Sequence, residues 1–162
     1  MGPPGEYGIH DYEFVACKVI EKDGLSKGSL KLIENEIVNQ DCIASLYVVK
    51  AKKAIEAPDR FYIFMEYANG GDLKELFEAK NYEISFKTIH KIMRQLVQGY
   101  SATIGELVVH RDLKLQNIMV HFQGKTTYLM DMPKEEKKLF LKNVDLENTD
   151  FQVKIADFGL SK

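Results

Sequence analysis

Val109-His110-Arg111-Asp112-Leu113-Lys114-Leu115-Gln116-Asn117 is the stretch on which the reading of this chain turns, and Ala156-Asp157-Phe158-Gly159 answers it further on. Between them the two segments hold two carboxylates, one amide and one lysine. A phosphoryl group in transfer spreads negative charge over its oxygens, so a catalyst mainly positions the reactants and neutralises charge with metal ions and a fixed cation. Asp112 suits the task of orienting a hydroxyl and accepting its proton, and Lys114, two residues on, brings an ammonium to the migrating phosphate. Asn117 follows Asp112 at a distance over which a loop can turn an amide oxygen toward a magnesium ion. Asp157, at the end of an apolar run and before Phe158-Gly159, offers a second oxygen ligand. A lone His-Arg-Asp triplet, or a lone Asp-Phe-Gly, would carry little weight. Their order, with Lys114 and Asn117 in place, carries much more.

Working outward, Val153-Lys154-Ile155-Ala156 and Ile118-Met119-Val120 read as short strands flanking the two motifs. Residues 121–151 lie between them. This insert contains Met132-Pro133-Lys134-Glu135-Glu136-Lys137-Lys138, and its alternating charge predicts a solvated surface excursion. On the N-terminal side of the first motif, residues 85–104 repeat apolar side chains at Ile89, Ile92, Met93, Leu96, Val97 and Tyr100, with Ser85 available as N-cap. That spacing predicts a helix. Asn69-Gly70-Gly71 breaks the preceding strand, and Asp72 can cap a second helix running to about residue 79.

Nearer the N-terminus, Phe14-Val15-Ala16-Cys17-Lys18-Val19-Ile20 reads as a strand closed by the turn residues Lys22-Asp23-Gly24. Residues 29–38 place Leu30, Ile33 and Ile37 on one helical face, with Glu36 beside the stripe. Residues 43–51 and 61–65 read as two more strands, most simply an antiparallel pair around the Pro58-Asp59 turn.

The chain has 162 residues, 45% of them hydrophobic and 28% charged, which is the composition of a folded domain with a core. Its 22 basic and 24 acidic residues give a formal charge of -2 and no basic field, so neither nucleic acid nor an anionic membrane is an expected partner. No apolar run approaches the roughly 18 residues of a membrane span, and no signal segment opens the chain, so a cytoplasmic setting is expected, with the nucleus open. Cys17 and Cys42 are expected to be buried, reduced thiols. His10, His90 and His121 show no metal-ligand spacing.

These motifs, taken together, resemble the eukaryotic protein kinase domain from its third strand to just past the Asp-Phe-Gly motif. The resemblance implies an α+β, two-lobed, protein-kinase-like fold, with a small lobe of antiparallel strands and one helix over residues 1–65, a hinge at 66–71, and part of a mainly helical large lobe over 72–162. It assigns Lys18, in Ala16-Cys17-Lys18, to the α- and β-phosphates of ATP and Glu36, with Glu34 as the alternative, to its ion-pair partner. Met65 becomes the gatekeeper, the backbones of Glu66 and Ala68 the adenine partners, and Ala16 and Met119 the lining of the adenine slot. Asp112 and Lys114 take the catalytic places, and Asn117 and Asp157 the Mg2+ places. Lys114 is the feature of serine/threonine kinases, so the implied acceptor is a Ser or Thr hydroxyl on a protein. The hinge and Lys-Ile-Ala-Asp-Phe-Gly-Leu-Ser are similar to the autophagy-initiating and calcium/calmodulin-dependent branches.

The chain departs from that pattern in several ways, the long insert between Asp112 and Asp157 among them. Gly2, Gly5 and Gly8 form no phosphate-covering glycine loop, no Ala-Pro-Glu follows Gly159, and Gln40 stands where an apolar residue is expected. The expectation is therefore of an incomplete kinase domain with weak or no activity on its own and uncovered apolar surface over residues 96–109. The alternative is a non-catalytic, kinase-like module that holds a nucleotide or a partner.

Overall fold

A computed structural model describes residues 14–24, 42–125, 129 and 132–158. The expected helix over 29–38, with Glu36 and Gln40, lies outside them, as do the glycines at 2, 5, 8 and 159. The described part is an α+β arrangement of two antiparallel sheets and three helices. The first sheet comprises β1 (Val15–Glu21), β2 (Ala51–Glu56) and β3 (Arg60–Glu66) in the order β1-β3-β2. β3 is central because it is the most apolar of the three: Phe61 and Ile63 are buried, with Ile20 and Met65 packed on them. The β1 register sets Ala16 opposite Met65 and Lys18 opposite Ile63.

β2 differs from the strand expected over 43–51. The apolar residues that suggested it, Ile43, Val48 and Val49, are buried, but only an isolated parallel bridge, Val48 to Ile155, forms there. The pairing strand is Ala-Lys-Lys-Ala-Ile-Glu, exposed along almost its whole length. Charged residues on a sheet edge discourage pairing with another chain, and the same charges hide the strand from a hydrophobicity reading.

Helix α1 (Leu73–Ala79) starts at Asp72, whose side chain accepts the Glu75 N–H at 2.8 Å. Helix α2 (Phe86–Gly105) starts at Ser85, which accepts the Thr88 N–H at 3.2 Å. Both caps fall where the sequence placed them, because each supplies an oxygen to an N–H that the first turn leaves unpaired. The second sheet pairs β4 (Ile118–Phe122) with β5 (Phe151–Ile155), antiparallel, with Met119 opposite Lys154 and Val120 opposite Val153. Its alternate residues Ile118, Val120, Phe122, Phe151 and Val153 join Leu73, Leu76 and Ile92 in the main core. Buried Gln95 fastens α2 to β5 by donating from Nε2 to the Phe151 carbonyl at 3.2 Å and accepting the Val153 N–H at 2.7 Å.

Two expectations are corrected. The insert is more than a solvated excursion: it carries helix α3 (Lys134–Asn143), whose Leu141 is buried and whose Phe140 meets Phe122 edge-on at 5.3 Å. All of its lysines and glutamates but the partly buried Lys137 face water, and the apolar residues among them complete the core beside α1. Lys80 donates from Nζ to the carbonyls of Val144 at 2.7 Å and Lys142 at 3.0 Å, placing a cation at the C-terminal end of α3 where the helix dipole favours one. Cys17 and Cys42 form no disulfide and are exposed rather than buried, Cys17 because β1 alternates and turns it outward. The α2 face expected to be uncovered is indeed exposed at Val97 and Ile104, as is Leu107 beyond the helix.

α2 approaches the 42–50 segment so closely that a Cβ on Gly99 would sit 2.6 Å from the Tyr47 carbonyl oxygen. A backbone atom cannot move aside as a side-chain tip can. Gly99→Ala is expected to lower stability by about 1–3 kcal/mol in urea unfolding. Gly105→Ala, where a Cβ meets nothing within 4 Å, serves as the control and should not destabilise. Equal midpoints for the two variants would contradict this packing.

Candidate active site

The loop after α2 turns through Leu107, at φ 59°, and enters the motif with His110 fully buried. The Asp112 N–H donates to His110 Nδ1 at 3.2 Å, so that nitrogen is the acceptor and the ring proton sits on Nε2. Nε2 lies 2.9 Å from the Ala156 carbonyl and donates to it. The imidazole also meets Phe158 edge-on, with ring centroids 4.8 Å apart. One side chain thereby joins the Asp112 loop to the end of β5. The Ala156 N–H, which donates to the Asn117 carbonyl at 2.8 Å, joins them a second time.

Asp112 is held by two neighbours through three hydrogen bonds. Lys114 Nζ donates to its Oδ2 at 2.6 Å, and Asn117 Nδ2 donates to the same oxygen at 3.0 Å and to the Asp112 carbonyl at 2.9 Å. The hydrogen bond from Lys114 is the largest influence and holds the carboxyl below its usual pKa; burial opposes it, and the weaker bond from Asn117 adds to the lowering. Asp112 therefore stays an acceptor throughout the neutral range. Asp157 lies at φ 65°, a left-handed conformation that aspartate tolerates better than most residues, and its Oδ1 accepts from Lys18 Nζ at 3.0 Å.

Ala16, Lys18, Met65, Asn117, Met119 and Asp157 line one cavity of about 310 Å³ together with Cys17, Gln116 and Ala156. The structure thus brings together the expected lysine, slot residues and oxygen ligands. Asp112 and Lys114 adjoin this cavity through Asn117. Glu66 and Ala68 are not among the lining residues: Ala68 is buried, and the Glu66 N–H donates to the Lys50 carbonyl at 2.9 Å. Glu36 lies outside the described residues. Sequence reasoning missed Cys17, Gln116 and Ala156 as lining, although each is the immediate neighbour of a residue it did single out. A larger cavity, about 710 Å³, lies between α1 and α3, away from this chemistry.

The residues fit magnesium and a nucleotide. With its amide nitrogen engaged by Asp112, Asn117 has its oxygen left to offer a cation, and with the Asp157 carboxylate this makes a hard-oxygen pair of the kind Mg2+ takes alongside phosphates. No group of three or more His, Cys, Asp or Glu residues placed to hold a metal occurs among the described residues, which sets this pair apart from a dedicated all-protein cage.

The protein kinase domain model matches residues 7–162. The chain belongs to the protein kinase family. This kinase chain is similar to serine/threonine-protein kinase 33 of Bos taurus, at 28% identity over 90% of the chain and 26% of that protein. It is similar to serine/threonine-protein kinase unc-51 of Caenorhabditis elegans, at 31% identity over 91% of the chain and 15% of that protein. It also resembles the negative regulator of sexual conjugation and meiosis of Schizosaccharomyces pombe, at 31% identity over 76% of the chain and 27% of that protein. The kinase chain therefore spans about a quarter or less of the length of these curated relatives. No described helix is long and apolar enough to cross a membrane.

In the kinase chain, Met119 and His121 share one face of the second sheet with Lys154, by strand alternation and register. His121 is half-buried, and its Nδ1 has no hydrogen-bond partner. Burial first, and the Lys154 charge second, hold its pKa below 6.5, while Glu66 and a backbone hydrogen bond to Tyr67 oppose them. The folded state thus resists a proton that the unfolded chain accepts. The stability associated with neutral His121 is fully present above pH 6.5 and is lost as pH falls below it. His121→Gln is expected to flatten the fall in urea midpoint between about pH 7.5 and 5.5; an unchanged slope would contradict the assignment.

Proposed function

We propose that the chain carries the catalytic centre of a serine/threonine protein kinase, transferring the γ-phosphoryl group of MgATP to a Ser or Thr hydroxyl of a protein substrate. The observation that carries this reading is the single cavity shared by Lys18, Asn117 and Asp157, with Asp112 and Lys114 bonded to each other beside it. Lys114 as the cation of the catalytic loop, and the serine/threonine kinases among the relatives, support the choice of acceptor.

Magnesium, when bound, would neutralise charge on the β- and γ-phosphates and hold them in line. The chain's own residues do the rest. Lys18 supplies a cation to the α- and β-phosphates, and Asn117 and Asp157 supply the metal's protein oxygens. Asp112, ionised at neutral pH, accepts a hydrogen bond from the substrate hydroxyl, orients it and takes its proton as the new P–O bond forms and the bond to the β-phosphate oxygen breaks. Lys114 sits 2.6 Å from Asp112 and can pass its ammonium to the incoming phosphoryl oxygens. Ala16, Met65 and Met119 provide the apolar walls that adenine stacking needs.

Phosphate incorporation from γ-labelled MgATP into a Ser- and Thr-bearing protein tests the reading. Weak transfer is expected from the 162-residue chain, confined to phosphoserine and phosphothreonine, reduced by roughly 100- to 10,000-fold in Asp112→Asn and comparably in Lys18→Met. A phosphotyrosine product, or transfer indifferent to both substitutions, would contradict it. Binding of nucleotide without any transfer would favour the non-catalytic reading.

A further inference from the structure

Lys154 is a lone charge in an apolar strand, and its side chain is only 4% exposed. A buried ammonium is costly unless it is paired and hydrogen-bonded. Lys154 Nζ lies 2.9 Å from Glu66 Oε1 and donates to the Leu46 carbonyl at 2.7 Å. Glu66 is the last residue of β3 and the first of the hinge, and its other oxygen, Oε2, accepts from the Lys50 N–H at 3.4 Å. The backbones follow the same path. The Ile155 N–H donates to the Tyr47 carbonyl at 2.9 Å, the Val49 N–H to the Ile155 carbonyl at 2.8 Å, and the Glu66 N–H to the Lys50 carbonyl at 2.9 Å. One buried side chain therefore ties the hinge, the 46–50 segment and β5 together, three residues before Asp157.

We propose that Lys154 is a positioning residue that fixes the adenine slot relative to the metal-binding carboxylate. The proposal rests on the nucleotide reading of the cavity. Met65, beside Glu66, lines that cavity at its hinge side, and Asp157 lines it at the end of β5. A strand hydrogen-bonded along both edges moves as a unit, so a shift at Lys154 appears at Asp157. Misplacement of about 1 Å is enough to cost a large factor in a pre-organised site. Nucleotides that span slot and metal need this register; adenosine, which reaches only the slot, does not.

The test compares affinities for adenosine and for the magnesium complex of a non-hydrolysable ATP analogue by calorimetry, in the wild-type chain and in Lys154→Met, Glu66→Gln, the double variant and Lys154→Arg. Lys154→Met is expected to weaken the magnesium–analogue complex about tenfold while adenosine changes less than about threefold. Glu66→Gln, at a position one-third exposed and so tolerant of change, should shift the ratio in the same direction. The double variant should be no worse than Lys154→Met alone, and Lys154→Arg should restore part of the loss. Equal weakening of both ligands, no weakening, or additive effects of the two substitutions would overturn the proposal. Amide exchange without ligand gives a separate reading: protection at Val49 and Ile155 should fall at least tenfold in Lys154→Met. A wild-type chain that binds neither ligand would defeat the nucleotide reading, and unchanged exchange would then defeat the tether on its own evidence.

Discussion

The hydrogen bonding of β5 on both of its edges is the constraint from which the site follows. On one side it pairs with β4 from Phe151 to Ile155; on the other, Ile155 exchanges bonds with Tyr47 and Val49. Its last residues are then captured by the Asp112 loop, through Ala156 N–H to Asn117 and through His110 to the Ala156 carbonyl. A strand so held can deliver Asp157 in a left-handed conformation that would cost about 1–3 kcal/mol unsupported. Gly70 adds to this frame. Its N–H donates to the Val120 carbonyl at 2.8 Å, an approach no side chain at that position would allow.

The charges of the site add little to stability. Lys18 and Asp157 form a pair 36% and 47% exposed, and Lys114 and Asp112 one that is 48% and 30% exposed. Solvent screens pairs of that exposure, so they contribute little. Their value lies elsewhere: Lys18 and Asp157 line the cavity and Lys114 and Asp112 stand beside it, the arrangement that the proposed exchange of protein partners for phosphate and metal requires. The pair of buried Lys154 with partly exposed Glu66 has the opposite character, since its cation is almost wholly withdrawn from water. It is remote from any reacting atom and consists of structure.

Much of this arrangement was legible in the residues. Asp72 and Ser85 marked helix starts because a capping oxygen meets a local demand that sequence displays. Lys18, Asn117 and Asp157 meet Ala16, Met65 and Met119 in one cavity, with Asp112 and Lys114 beside it. What stayed hidden depended on tertiary context. β2 is an exposed lysine-rich edge, and nothing in Ala-Lys-Lys-Ala-Ile-Glu announces that β3 will pair with it. Residues 43–49 are apolar enough for a strand, but their backbone is used by β5 instead. α3 was masked by its charges, although Phe140, Leu141 and Val144 carry its apolar side. The outward turn of Cys17 follows from alternation in β1, a signal available beforehand and outweighed by the general tendency of cysteine to be buried. Lys154 offered the plainest unread signal: a charge in an apolar strand requires a partner, and Glu66 is that partner.

The central claim, that Asn117 and Asp157 hold the cation of a nucleotide complex, is tested most directly by replacing magnesium with Mn2+ in the presence of a non-hydrolysable ATP analogue and following paramagnetic broadening of backbone amide resonances. Broadening is expected first at Asn117, Ala156 and Asp157, then at Lys18, and only when nucleotide is present. Broadening centred on Glu75 and Glu78 at the larger cavity, or broadening at Asp157 that is indifferent to nucleotide, would contradict it.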